Sequence, residues 1–139
     1  MSGNLNHTQS PFHPGEQRVQ ERLGVRGIED WATKAVRHYM PQEHRKFSAA
    51  LPFLVAAARE AKGRPWATLL TGPDGFIASP DPQSLVIDAN LVSGDALNGS
   101  LVAGADIGLL GIELSTRRRN RVNGQISTDG AGAIVLAVE

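Results

Sequence analysis

The sequence contains no cysteine, which excludes disulfide frameworks, thiolate nucleophiles, Cys-ligated zinc and iron–sulfur clusters within these 139 residues. Aromatic residues are scarce, at 5% of the chain, so the stacking platforms of single-strand nucleic-acid binders are missing. No run approaches the ~18 apolar residues that span a bilayer. The first twenty residues lack the basic start and apolar run of a signal peptide, so a soluble cytoplasmic protein with no membrane partner is expected. Nor is there an excess of either charge. Fourteen Lys and Arg balance fourteen Asp and Glu, and no global field draws the chain to polyanions.

What is present is a set of short apolar runs punctuated by 15 glycines and 8 prolines. The length is that of one domain, at roughly 150 residues. Met1 to Ser10 is polar and reads as a flexible N-terminus. Three helices are expected next, over Glu16 to Leu23, Ile28 to Met40 and Gln42 to Leu51. Gly24 stops the first, Asp30 caps the second, and Trp31, Ala35 and Tyr39 form its apolar face. After Pro52 the period shortens. Strands are predicted over Phe53 to Ala58, Trp66 to Thr71, Phe76 to Ala78, Leu85 to Ala89, Ile107 to Leu114, Asn120 to Ser127 and Ala133 to Val138. Turn chemistry separates them at Gly72-Pro73-Asp74-Gly75, Ser79-Pro80-Asp81-Pro82 and Asp129-Gly130-Ala131-Gly132. Leu97 and Leu101, one helical turn apart, predict a helix over Ala96 to Ala103. The fold class is therefore mainly β: a β-barrel with N-terminal helices. A helical region over residues 11–51 precedes a barrel core over 52–139, whose apolar last strand predicts truncation at the C-terminus.

The sharpest chemical signal is Thr116-Arg117-Arg118-Arg119-Asn120-Arg121-Val122-Asn123-Gly124, with four basic residues in five positions. If it is extended, Arg117, Arg119 and Arg121 share one face and Arg118 and Asn120 the other. A row of guanidinium groups suits bidentate capture of phosphate oxygens. A solvated strand edge, where basic residues block edge-to-edge pairing, accounts for the spacing equally well. In the run Trp66 to Thr71, small or hydroxylated residues leave room for a flat ring, and Thr68 and Thr71 carry donors. Those hydroxyls serve as readily to satisfy neighbouring backbone. His13, between Phe12 and Pro14, reads as a packed, hydrogen-bonded loop residue, and the four histidines have no metal-ligand spacing, so no metal is expected. His44-Arg45 reads as a surface pair able to reach an anion. No nucleophile elbow, phosphate loop, dinucleotide fingerprint or paired carboxylates occur, and no catalytic side chain stands out.

Taken in order, several segments resemble a known family. They are Ser10-Pro11-Phe12-His13-Pro14-Gly15-Glu16, then His44-Arg45-Lys46-Phe47, Leu51-Pro52-Phe53, Gly63-Arg64-Pro65-Trp66-Ala67, Gly75-Phe76-Ile77, Gly108-Leu109-Leu110-Gly111-Ile112-Glu113, and Thr116 to Gly124. The series resembles the pyridoxamine 5'-phosphate oxidase-like FMN-binding split barrels, in the branch often joined to a ferredoxin-reductase-like module. The resemblance implies a homodimer with FMN where the subunits meet, and a reductase domain or partner. It implies cofactor contacts from Trp66, Ala67, Thr68, Leu70 and Thr71, from Ala78 and Ser79, and from Arg119, Asn120 and Arg121, with Asn120 near the flavin ring. The chain departs from true vitamin B6 oxidases: Trp66 and Thr71 stand where those offer basic residues, and the C-terminal Arg-x-His segment has no counterpart. The expected function is an FMN-dependent oxidoreductase or electron-transfer domain. A split-barrel module that binds haem or another ligand, or serves only to dimerise, is the alternative. Nucleic-acid binding through the arginine run is the weakest of the three readings.

Overall fold

The structure, a computed structural model, describes residues 10–127 and 132–139. The expected flexible N-terminus lies outside these residues except for Ser10, and so does most of the expected 129–132 turn. The chain divides into two compact units, one ending at Arg37 and one running from His38 to Glu139.

The first unit carries α1 (Pro14–Arg22) and α2 (Ile28–Ala35). His13 is the N-cap of α1: its Nδ1 accepts from the backbone of Gly15 and Glu16 at 3.0 and 3.3 Å. The Glu16 carboxylate accepts in return from the His13 amide at 2.9 Å, which completes a capping box. His13 is thus hydrogen-bonded as expected but exposed rather than packed. Gly24 takes φ +68° just past α1, a conformation that favours glycine. Asp30 does not cap α2; it lies in the first turn, where a carboxylate suits the positive end of the helix dipole. The helix ends at Ala35, five residues short of the expected Met40. The Trp31–Tyr39 stripe is therefore not a continuous helical face, and Trp31 is 69% exposed.

The second unit is a seven-stranded antiparallel sheet and one helix. Its elements are α3 (Gln42–Ala49), β1 (Leu54–Arg59), β2 (Pro65–Leu70), β3 (Ile77–Ala78), β4 (Ser84–Ile87), β5 (Asp106–Glu113), β6 (Arg118–Ser127) and β7 (Ile134–Val138). The strands run in the order β2-β1-β5-β6-β7-β4-β3. Alternation places Leu54, Ala56, Leu70, Leu85, Ile87, Ile107, Leu109, Val122, Ile126 and Leu136 on the inner face, in one core cluster. Phe47 and Leu51, one turn apart at the end of α3, join this cluster, as does Met40. Gly111 of β5 admits them: a Cβ there would stand 2.5 Å from Leu51 Cδ1 and 3.1 Å from Phe47 Cε1. Arg45 ties α3 to the segment after β3, donating to Ser79 Oγ at 2.9 Å and to the Ser79 carbonyl at 2.8 Å.

The expected helix over Ala96 to Ala103 is a series of turns. Gly99 at positive φ interrupts it and Gly94 and Gly104, also at positive φ, flank it, and Asp95 Oδ1 accepts from the Leu97 amide at 2.8 Å, a local bond that competes with helix. Leu97 is still fully buried, so the i, i+4 spacing marked burial and not a helix.

Candidate functional site

The arginine run forms one end of the β5–β6 hairpin. Arg117 stands in the connecting turn at φ +60°, and β6 begins only at Arg118. This corrects the expectation that Arg117 shares a face with Arg119 and Arg121, because the turn breaks the alternation before the strand starts. Within β6 the alternation holds. Arg118 and Asn120 lie on the face that carries Val122, while Arg119, Arg121 and Asn123 lie on the outer face. Among the described residues, no ion pair involves any of these arginines. Thr116 donates to Glu113 Oε1 at 2.8 Å, which closes the turn and engages the hairpin's own carboxylate.

Register across the outer face sets two rows. Ala67, Ala57, Gly108 and Asn123 stand abreast on β2, β1, β5 and β6, and next to them Leu69, Val55, Leu110 and Arg121. The first row carries nothing larger than a methyl group until Asn123, so a flat ring can lie close to it. The second row is apolar and ends on a guanidinium. Ile112 stands opposite Arg119 one step further along the hairpin. Leu69 is 58% exposed, a large apolar side chain on a strand at the sheet's edge.

The residues expected to hold a cofactor are thus placed as follows. Ala67 is on the outer face, while Trp66, Thr68 and Leu70 share the inner parity. Leu70 is fully buried in the core, so only its backbone can meet a ligand. The Thr68 hydroxyl donates to Asp95 Oδ2, so its proton is engaged within the chain. Thr71 is exposed just past β2. Ala78 is exposed at the end of β3, and Ser79 is held by Arg45 while donating to the Asp81 carbonyl at 2.7 Å. Asp81 in turn accepts from the Gln83 amide and from Ser84, which holds its carboxyl below the usual carboxylate range. Three strand spacings, roughly 14 Å, separate β2 from β6. The outer face of β1 and β5 lies between these two parts of the expected site.

A feature missed by sequence reasoning lies at the corner of α3 and β6. His44 and Phe47 of the helix and Arg118, Arg119 and Asn120 of the strand line a cavity of about 210 Å³. The Arg118 guanidinium lies 5.2 Å from the centroid of the Phe47 ring, a cation–π contact. His44 and the arginines were each visible as candidates, but 74 residues separate His44 from Arg118, and no local spacing joins them.

No helix among the described residues is long and apolar enough to cross a membrane. Neither a family model nor a curated protein matches the chain. Among solved structures, it is similar to a candidate pyridoxamine 5'-phosphate oxidase of Lactobacillus delbrueckii, at 17% identity and a TM-score of 0.54, over 74% of this chain and 93% of that one. It is also similar to HupZ of group A Streptococcus, at 18% identity and a TM-score of 0.53, over 72% of this chain and 90% of that one. The chain therefore has the split-barrel fold of the pyridoxamine 5'-phosphate oxidase-like proteins.

Proposed function

We propose that the chain is an FMN-binding flavoprotein, an oxidoreductase or electron-transfer domain, that assembles as a cytoplasmic homodimer with the cofactor between subunits. The observation that carries this reading is the outer row Leu69, Val55, Leu110 and Arg121: an apolar floor ending in a guanidinium with no ion pair among the described residues, beside a strip of alanine and glycine. An isoalloxazine ring needs a flat surface approached closely, and a phosphate near two negative charges needs cations without carboxylate partners. Both are present, so the donor set fits the group. Arg119 and Arg121 hold the phosphate, while the edge of β2 offers backbone donors and acceptors to the ring and ribityl chain. The row spans roughly 14 Å from β2 to β6 within one subunit, a length an extended flavin nucleotide covers, and the partner subunit closes over it. Burying Leu69, Leu110 and Val55 against the partner favours that assembly, at roughly 25 cal/mol for each Å² of apolar surface removed from water.

Bound FMN supplies hydride and single-electron transfer, which the chain's own side chains cannot. The protein's part is to bind, orient and shield the ring. Asn120, which the family resemblance sets near the ring, lies on the inner face of β6, opposite the outer row that carries Arg119 and Arg121. The electron source is a reduced nicotinamide or a partner reductase. Vitamin B6 oxidation is not proposed, because Trp66 and Thr71 replace the basic residues of that activity. Reconstitution with FMN followed by anaerobic titration with NADH and NADPH tests the reading. A flavin spectrum bleached by either donor or by a reductase supports it, and a Soret band in its place transfers the barrel to haem.

A further inference from the structure

We propose that the cavity between α3 and β6 is a binding site for a small organic carboxylate. It is lined by His44, Phe47, Arg118, Arg119 and Asn120, with no acidic residue among them; Arg118 and Asn120 share the inner face of β6, and Arg119 lies on the outer one. The Arg118 guanidinium therefore meets this cavity with no ion-pair partner among the described residues. The nearest acidic candidate, Glu113, stands opposite Arg118 in the hairpin but accepts from Thr116 and does not line the cavity. An anion satisfies these groups better than water does, since hydrogen bonds to charged partners are the stronger kind.

The size and the apolar wall narrow the class. About 210 Å³ lies below the ~300–1,000 Å³ of pockets that hold drug-sized ligands, so a whole flavin nucleotide does not fit. Phe47 is buried beneath the cavity, with the Arg118 guanidinium held over its ring. That contact pre-orients the guanidinium fork, which suits the two oxygens of a carboxylate. The phenyl wall gives an apolar body something to lie against, which a bare inorganic anion would not use. The occupant is therefore a small carboxylate with an apolar portion. This binding does not rest on the flavin reading.

Calorimetric titration of benzoate into the full chain without added cofactor tests this, with inorganic phosphate titrated in parallel. One saturable benzoate site per chain is expected, with phosphate at least about tenfold weaker. Arg118→Met weakens benzoate by at least about tenfold, the loss of one charge-assisted interaction. His44→Ala, on the helix side, also weakens it while circular dichroism stays unchanged, and this variant decides the matter should Arg118→Met fail to fold. Absence of saturable benzoate binding, phosphate binding as tight as benzoate, or unchanged affinity in the folded variants overturns the proposal. A chain that binds benzoate but refuses FMN keeps this site and removes the flavin reading; one that binds FMN and not benzoate does the reverse.

Discussion

Leu69 and Arg121 stand in one lateral row of the sheet, with only Val55 and Leu110 between them. The row joins an exposed apolar side chain on the edge strand to a cation near the sheet's centre that has no ion pair among the described residues. Such a face is costly to leave in water and suits a second subunit with an anion trapped at the boundary. Leu69→Lys should therefore leave the fold intact, since Leu69 contributes nothing to the core cluster, but shift the chain towards monomer. Analytical ultracentrifugation at matched concentrations reads this directly. A wild-type chain that is already monomeric, or a variant as dimeric as wild type, contradicts the assignment of this face.

Thr68 offers a second test, because its hydroxyl donates to Asp95 inside the chain. Thr68→Val keeps the shape of the side chain and leaves Asp95 Oδ2 without that donor. We expect a loss of about 1–3 kcal/mol in chemical denaturation. An undiminished stability would show that the hydroxyl is spent elsewhere, and would return Thr68 to the list of free ligand donors.

Two inner-face glycines separate soft from hard contacts. At Gly111 an added Cβ meets the far end of the Leu51 side chain, which can shift. At Gly124 it runs into the Ala137 carbonyl of β7, which is backbone and cannot. Gly111→Ala should cost about 1–3 kcal/mol, and Gly124→Ala more than that. Thermal melts of the two variants check the order, and a Gly124→Ala protein as stable as Gly111→Ala would contradict the packing described for β6 and β7.

The turn between β1 and β2 predicts a pH dependence. Arg64 Nε lies 3.0 Å from Glu60 Oε1, and this hydrogen bond, with further backbone donors, holds the Glu60 carboxyl below its ordinary value. A depressed folded value means that the stabilisation is present above the ordinary glutamate range and disappears as pH falls through the folded value. Glu60→Gln should thus lower the melting temperature relative to wild type near neutral pH, with the gap closing as pH falls below the ordinary glutamate range. A gap of constant size across that range would remove the ion pair as its cause.

Much of this architecture was legible before any coordinates. The apolar alternation and the Gly-Pro turns locate all seven strands to within about two residues, since burial on one face enforces a period of two. The i, i+4 spacings at Leu97/Leu101 and along Trp31, Ala35 and Tyr39 misled, because such spacing requires only a few apolar residues and says nothing of the glycines at positive φ or of where a helix ends. The site was legible as a list and not as a place. Arg119, Asn120 and Arg121 do form one strand, yet their two faces serve different surroundings, and Arg117 drops out because the hairpin turn needed it at positive φ. The separation of β2 from β6 depends on strand order, which local sequence does not encode. The same holds for the α3–β6 cavity, whose walls come from segments far apart in the chain.

The central claim is that Arg119 and Arg121 exist to hold the phosphate of FMN. Calorimetric titration of FMN into the purified chain, beside an Arg119→Ala/Arg121→Ala variant with an unchanged melting temperature, tests it most directly. Saturable binding by the wild type, weakened in the variant by at least about tenfold for each arginine, is the predicted result. A wild type that takes up no FMN, or a variant that binds it equally well, contradicts the account.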